Sequence, residues 1–419
     1  MNRFALIVIA SAIFAPKSRG VNFGPAARAT NEVGLDLYRE SASDEKNLCL
    51  SPYSISCTLA MALAGADGTT RREIARVLHL DPEAESDSSF WALRKSLARV
   101  GPEAARIAQE AKKNGAATGP ITIAVANRLF LPAGNEFRSQ FLSQVKEQFG
   151  VAPKVLDFRR RRSAATREIN AWVARQTRDR IRDLIPQPLD AATRLVLVNA
   201  VYFRAPWSSA FDAGLTALAT FHVGGGNPRG VLMMLQSAAF RYAKHDTFSA
   251  VALPYKGSEL QFVILLPDRI DGLRALEKKL TAETLLACTT MEKKGVVLYL
   301  PKFQVEPPTI ELAGKLQALG MKAAFDRPPG SANFDRMAAP RPNDRLAISD
   351  VFQKTFISVD ERGTEATAAA AMAEIPSEGP DSTTQPKPVE VKVDRPFIYL
   401  IQHVPSGACL FLGRVTDPR

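Results

Sequence analysis

Cysteine and histidine are scarce in this chain, four of each in 419 residues, and neither is arranged for chemistry. Cys49, Cys57, Cys288 and Cys409 form no Cys-x-x-Cys pair and no metal-ligand spacing, so buried free thiols are the expectation. His79, His222, His245 and His403 stand far apart and outside any His-Glu-x-x-His pattern. A Gly-x-Ser-x-Gly elbow and a Walker loop are missing too. These absences argue against an enzyme: no catalytic residue, no metal and no cofactor is expected. Basic residues are not interleaved with aromatics, which argues against a nucleic-acid module. Long apolar runs are also lacking. The run Phe4 to Ala15, behind Arg3, is too short to span a bilayer and is placed like a secretory signal, with Ala10-x-Ala12 or Ser18-x-Gly20 as cleavage sites. Residues 1–20 are therefore read as an export signal. The protein is expected to be secreted or extracellular (periplasmic if the host is bacterial), with no membrane partner.

What is present is a large apolar fraction, 46%, spread without a long linker. That fits one compact unit better than the two or three domains that length alone allows. A net charge of +11 permits contact with polyanions without requiring it. Basic residues concentrate in the helical stretch Phe90 to Ala116 and in Arg159 to Arg162, a cluster expected in a loop; for both, solvated surface is the default.

Several stretches have a clear local form. Asn47 to Leu50 ends a short apolar strand, and Ser51 then caps a helix with Pro52 in its first turn and Gly65 closing it. Ile121 to Leu131 reads as a strand, and Ile169 to Val173 as part of an amphipathic helix. Leu195 to Phe203 is almost wholly apolar, as in a strand covered on both faces. Asn199 within it needs hydrogen-bond partners, because an unpaired buried amide costs about 1–3 kcal/mol. Leu298 to Val305 is a further strand, and Leu312 to Phe325 a helix and turn.

The oddest stretch is Val359 to Pro376, VDERGTEATAAAAMAEIP. Alanine is the best helix former and a poor strand former, so a surface helix or a low-complexity linker fits. A strand fits as well: at a period of two, Thr364, Ala366, Ala368, Ala370 and Met372 share one face, each small or flexible enough to slide between packed strands, with Glu365 on the other.

This stretch resembles the hinge and reactive-centre loop of the serpins: an acid (Glu361), Gly363, Thr364, Glu365, then small residues such as Ala366 and Ala368. Further matches run from about Asn31 to Pro418, through Val251 to Tyr255, Pro301-Lys302-Phe303, and Arg395-Pro396-Phe397. The resemblance implies a mixed α+β fold of about nine helices around three β-sheets, a single domain over residues 30–418, and a loop over about 361–392. It implies a monomeric, irreversible inhibitor of a serine, or a cysteine, protease, with a non-inhibitory binding or chaperone serpin as the rival. Ser51, Ser54, Asn199 and Gln353 match shutter positions, and Trp207, Lys302 and Glu361 match the breach, where Lys302 and Glu361 are expected to pair. In some serpins the helix matching Phe90 to Ala116 binds heparin-like chains, so a polyanion is a second implied partner. The fold also places the strands of Cys49 and Cys409 side by side, which allows a disulfide.

Counting seventeen residues from Glu361, as the family does, puts the reactive bond at Ser377-Glu378. Ile375 and Pro376 then set specificity. No Arg or Lys follows Arg362 before Lys387, which favours an elastase-like or other small-pocket target over a trypsin-like one. Two features depart from the family. Gln353 stands where many serpins have a histidine two strands from the asparagine, and Glu378 to Lys392 is long, as expected of a mobile flap.

Overall fold

The computed structural model describes residues 24–42, 45–82, 88–113, 121–224, 226–341, 345–364 and 387–419. Nine α-helices lie within them: α1 Gly24–Ser41, α2 Pro52–Gly65, α3 Gly68–Val77, α4 Ser88–Lys113, α5 Ser139–Phe149, α6 Arg162–Gln176, α7 Leu273–Lys279, α8 Ala282–Ala287 and α9 Ala313–Ala318. The first eight strands are β1 Leu48–Leu50, β2 Thr122–Pro132, β3 Lys154–Leu156, β4 Leu195–Pro206, β5 Ala217–Phe221, β6 Arg229–Lys244, β7 Phe248–Pro254 and β8 Leu260–Pro267. The other eight are β9 Lys293–Pro301, β10 Phe303–Val305, β11 Ile310–Glu311, β12 Ile348–Asp360, β13 Gly363–Thr364, β14 Val389–Lys392, β15 Phe397–His403 and β16 Cys409–Val415.

One sheet runs β10-β12-β13-β4-β2-β3, with β11 also on β12. The remaining strands join into a single network, β1-β16-β15-β8-β7-β6-β9-β14, with β5 on β6. The three expected sheets thus share strands. The cause is β6, which pairs with β5 over 229–233, with β9 over 233–241, and with β7 over its last four residues.

The apolar run of β4 is covered on both faces, as its composition requires. Val196, Val198, Ala200 and Tyr202 pack under α6 with Phe352 and Phe356 of β12. Leu195 and Leu197 join the helical core on the opposite side, and Val201 and Phe203 the core between the sheets. Helix α6 supplies Ala165, Ile169, Trp172 and Val173, whose spacing makes one apolar face. Trp172 meets Phe130 of β2 edge-on at 5.6 Å. Arg162, expected in a loop, begins this helix, and Leu312 to Phe325 holds only the short α9 and a 3-10 turn.

Candidate functional site

Strands β4 and β12 run parallel and pair directly from Leu195/Ile348 to Tyr202/Phe356. Beyond Tyr202 they separate, and β13 fills the gap. Thr364 lies opposite Val359 of β12 and Ala205 of β4; Gly363 lies opposite Asp360 and Pro206. The turn that delivers β13 is set by Asp360, whose carboxylate accepts from the backbone N–H of Arg362 (2.8 Å) and of Gly363 (3.2 Å). Burial holds that carboxyl above its ordinary range, although both N–H bonds favour its charged form. Glycine is required at 363 by close approach. A Cβ there would run into the carbonyl oxygen of Ala205 and come within 2.7 Å of Pro206 Cα.

Aromatic residues line the gap. Thr364 is fully buried, and its hydroxyl shares a 2.6 Å hydrogen bond with that of Tyr255. Tyr255 stacks on Trp207 (4.9 Å, 12° between planes) and meets Phe203 edge-on. Trp207 grips the turn twice: its indole N–H donates to Asp360 O and its backbone N–H to Arg362 O, both at 2.9 Å. Glu361 accepts from Lys302 Nζ (2.9 Å) and from the Thr216 hydroxyl (2.9 Å). Burial pushes the Glu361 carboxyl up, but those two partners and its own backbone outweigh it and hold the group below its ordinary 4.5.

Halfway down the same seam lies a polar row. Asn127 of β2, Asn199 of β4 and Gln353 of β12 stand opposite one another across three adjacent strands. All three side chains are buried and face the start of α2. Thr58 donates to Asn199 Oδ1 (2.6 Å), Ser54 donates to Asn127 Oδ1 and Asn199 Oδ1, and Asn127 Nδ2 donates back to Ser54 O. Ser51, which caps α2 by accepting from Ser54 N–H, donates to Leu410 O (2.7 Å). Two longer bonds involve β12: Asn199 Nδ2 to Phe352 O (3.4 Å), across the seam, and Gln353 Nε2 to Ser51 O (3.3 Å). Gln353 Oε1 has no partner among the described residues.

Ser51, Ser54, Asn199 and Gln353 are therefore one cluster, and Trp207, Lys302, Glu361, Gly363 and Thr364 another. Glu365, Ala366, Ala368, Ile375, Pro376, Ser377 and Glu378 lie outside the described residues, as does the N-terminal segment 1–23. Three expectations need correction. Gln353 is not two strands from Asn199 but on the neighbouring strand, because β13 does not reach that depth. The loop implied over about 361–392 does not start clear of the sheet, since Thr364 already lies between β12 and β4. The far end of the expected flap is ordered, since Val389–Lys392 is β14, parallel to β9. The cysteines, by contrast, are the buried free thiols expected, and the disulfide that the resemblance allowed is not formed: Cys49 sits opposite Gly413, Cys409 pairs with Gln402, and all four cysteines are free and buried. Sequence reasoning missed Asn127, Thr58 and Tyr255. Asn127 carried the same signal as Asn199, an amide inside an apolar strand.

A family model described as serpin (serine protease inhibitor) matches residues 28–418. An uncharacterised serpin-like protein of Thermococcus kodakarensis is 37% identical, over 94% of this chain and 86% of its own length. The leukocyte elastase inhibitor of Sus scrofa is 34% identical, over 93% of this chain and 98% of its own. Among solved structures, human thyroxine-binding globulin matches with a TM-score of 0.79 at 25% identity, covering 95% of this chain and all of that one.

Proposed function

Since the chain belongs to the serpin family, we propose that it is an irreversible suicide-substrate inhibitor of a serine endopeptidase. The observation that carries this reading is β13, two residues of the small-residue hinge already lodged between β4 and β12. In the proposed cycle the protease serine attacks the carbonyl of Ser377, expels the amine of Glu378 and forms an acyl-enzyme. Residues after Thr364 then follow β13 down the seam. The thirteen residues 364–376 extend about 43 Å as a strand, against about 26 Å for the eight positions at which β4 and β12 still pair. That reach supports transport of a tethered protease past the lower end of the sheet, where distortion of its active site prevents deacylation.

Ile375-Pro376-Ser377, with no basic residue nearby, supports an elastase-like or other small-pocket target, in line with the relatives named as elastase inhibitors. The run Phe4–Ala15 supports export. Thyroxine-binding globulin and ovalbumin among the structural matches keep a binding or storage role as the second reading. Incubation with a small panel of serine proteases distinguishes the two. A denaturant-resistant complex, with a new amino terminus at Glu378 on the released peptide, is the expected result. Clean loop cleavage with no trapped protease across the panel would establish the binding role instead.

A further inference from the structure

Between α4, α6 and the stretch Ile123 to Arg128 of β2 lies a cavity of about 530 Å³ that also touches α2. Its origin is a strand without a neighbour. β2 pairs with β4 from Thr122 to Phe130, but with β3 only from Phe130 onward, so the other edge of residues 122–129 has no strand beside it among the described residues. Helix α4 then passes that edge with its smallest residues, Ala98 and Gly101, on the cavity wall. A Cβ built on Gly101 would meet nothing within 4 Å. The space is of the size that small-molecule sites take, about 300–1,000 Å³.

The two sides of the wall differ. Met61 of α2, Leu97 of α4, and Ile123 and Val125 of β2 are apolar, while Arg128 and Trp172 stand on the side of α6. No aspartate or glutamate lines the cavity among the described residues. Arg128 is thus a half-buried cation with no anion on the wall beside it. Its guanidinium lies over the Trp172 ring at 4.3 Å, which fixes its plane and leaves its N–H edge for another partner. The Nε–H has no acceptor among the described residues. Burial, reinforced by nearby Arg175, holds the group below its ordinary range, the mark of a charge that the fold does not compensate. Arg94, the other cation on the wall, is already spent: it donates to Gln148 O (2.6 Å) and Glu147 O (3.3 Å). Stability alone does not ask for an arginine at 128, since a neutral side chain would avoid the cost of burying the charge.

We propose that this cavity binds a small amphipathic carboxylate, with its apolar body between α4 and β2 and its acid group on the edge of Arg128. A carboxylate matches the guanidinium fork with two parallel hydrogen bonds, and pairing there offsets a burial cost that the free protein already carries. The stacked guanidinium is held in place beforehand, so little side-chain freedom is lost on binding. A cationic ligand would be repelled by Arg94, Arg128 and Arg175, and a neutral one would leave Arg128 as it is. The volume suits a molecule of modest size and not a polymer. The inference stands whether the chain inhibits a protease or only binds.

The probe is decanoate, kept below its micelle concentration and titrated calorimetrically into the full chain. Saturable binding of one equivalent is expected, with decan-1-ol weaker by roughly tenfold or more, the share of one charge-assisted pair. Equal affinity for the alcohol overturns the carboxylate, and the absence of saturable heat overturns the site. Arg128→Gln should bring decanoate down to the affinity of the alcohol; parental affinity in that variant overturns the anion seat. Gly101→Leu tests the cavity separately, because it fills the space from the helix wall and leaves every charge in place. That variant should fold as the parent does and lose both probes, whereas parental binding of decanoate would put the ligand elsewhere and overturn the proposal.

Discussion

The two halves of the β4/β12 seam are built to opposite ends. At the top, the strands are already apart, and the gap holds a glycine and a threonine among aromatic rings, with Thr364 bonded to Tyr255. Halfway down, the strands pair, and the contact is a row of amides tied to the start of α2 by hydrogen bonds from Ser54 and Thr58. Apolar packing is tolerant of a sliding strand because it has no direction. A hydrogen-bonded row has one geometry and resists separation until its bonds are exchanged. In the proposed cycle the top is therefore where insertion would begin, and the row is the threshold it would have to cross.

If that contrast is right, crossing the threshold releases stored free energy. Nicking the loop at Ser377-Glu378 is expected to raise the unfolding midpoint by tens of degrees; an unchanged or lower midpoint would break the comparison at its root. Thr364→Arg should reverse the top instead. A guanidinium buried beside Tyr255 costs several kcal/mol, enough, on the proposed cycle, to expel the hinge and convert inhibitor into substrate. Trapping equal to that of the parent protein would show that residue 364 need not stay inside.

Asn199→Ala probes the threshold. Thr58 and Ser54 lose their shared acceptor, so equilibrium unfolding in denaturant should show a loss of about 1–3 kcal/mol, with faster polymerisation on mild warming. A variant as stable as the parent would mean that the row does not latch the seam. The smallest effect concerns the turn. Because Glu361 is held below its ordinary 4.5, its contribution is complete above that value and disappears as pH falls through its lower folded value. Asp360, held above 3.8, works the other way: its contribution is present at acid pH and is lost as pH rises through its folded value. Lys302→Gln should remove the Glu361 part, worth under about 1 kcal/mol, and flatten the acid limb of a stability–pH curve. An acid limb identical to the parent's would show that Lys302 does not set it.

Much of this was legible before the fold was known, for reasons tied to particular residues. An amide in an apolar strand must find partners, which singled out Asn199; glycine before a small-residue run marked Gly363. The partners themselves were not legible. Ser54 and Asn127 are 73 positions apart, and Thr364 and Tyr255 are 109 apart, so only the folded chain brings their hydroxyl and amide groups together. Strand adjacency did not reveal register either, which is why Cys49 faces Gly413 and not another cysteine. Alternation along 364–372 says which residues fit between strands, not how many already stand there.

The antiparallel register of β13 also makes the seam a ruler. Counting down from Thr364 opposite Ala205, a fully extended ladder would bring Ala370 level with Asn199. Counted independently from Val359 on the other strand, Ala370 arrives level with Gln353. Both scales place the same methyl group at the polar row, so residue 370 is where a larger or charged side chain would jam the travel without touching the hinge. On the β4 scale the markings end at Leu195, opposite Glu374, three residues short of Ser377. A cargo joined to Ser377 would hang beyond the sheet's lower rim, at the pole opposite its point of capture.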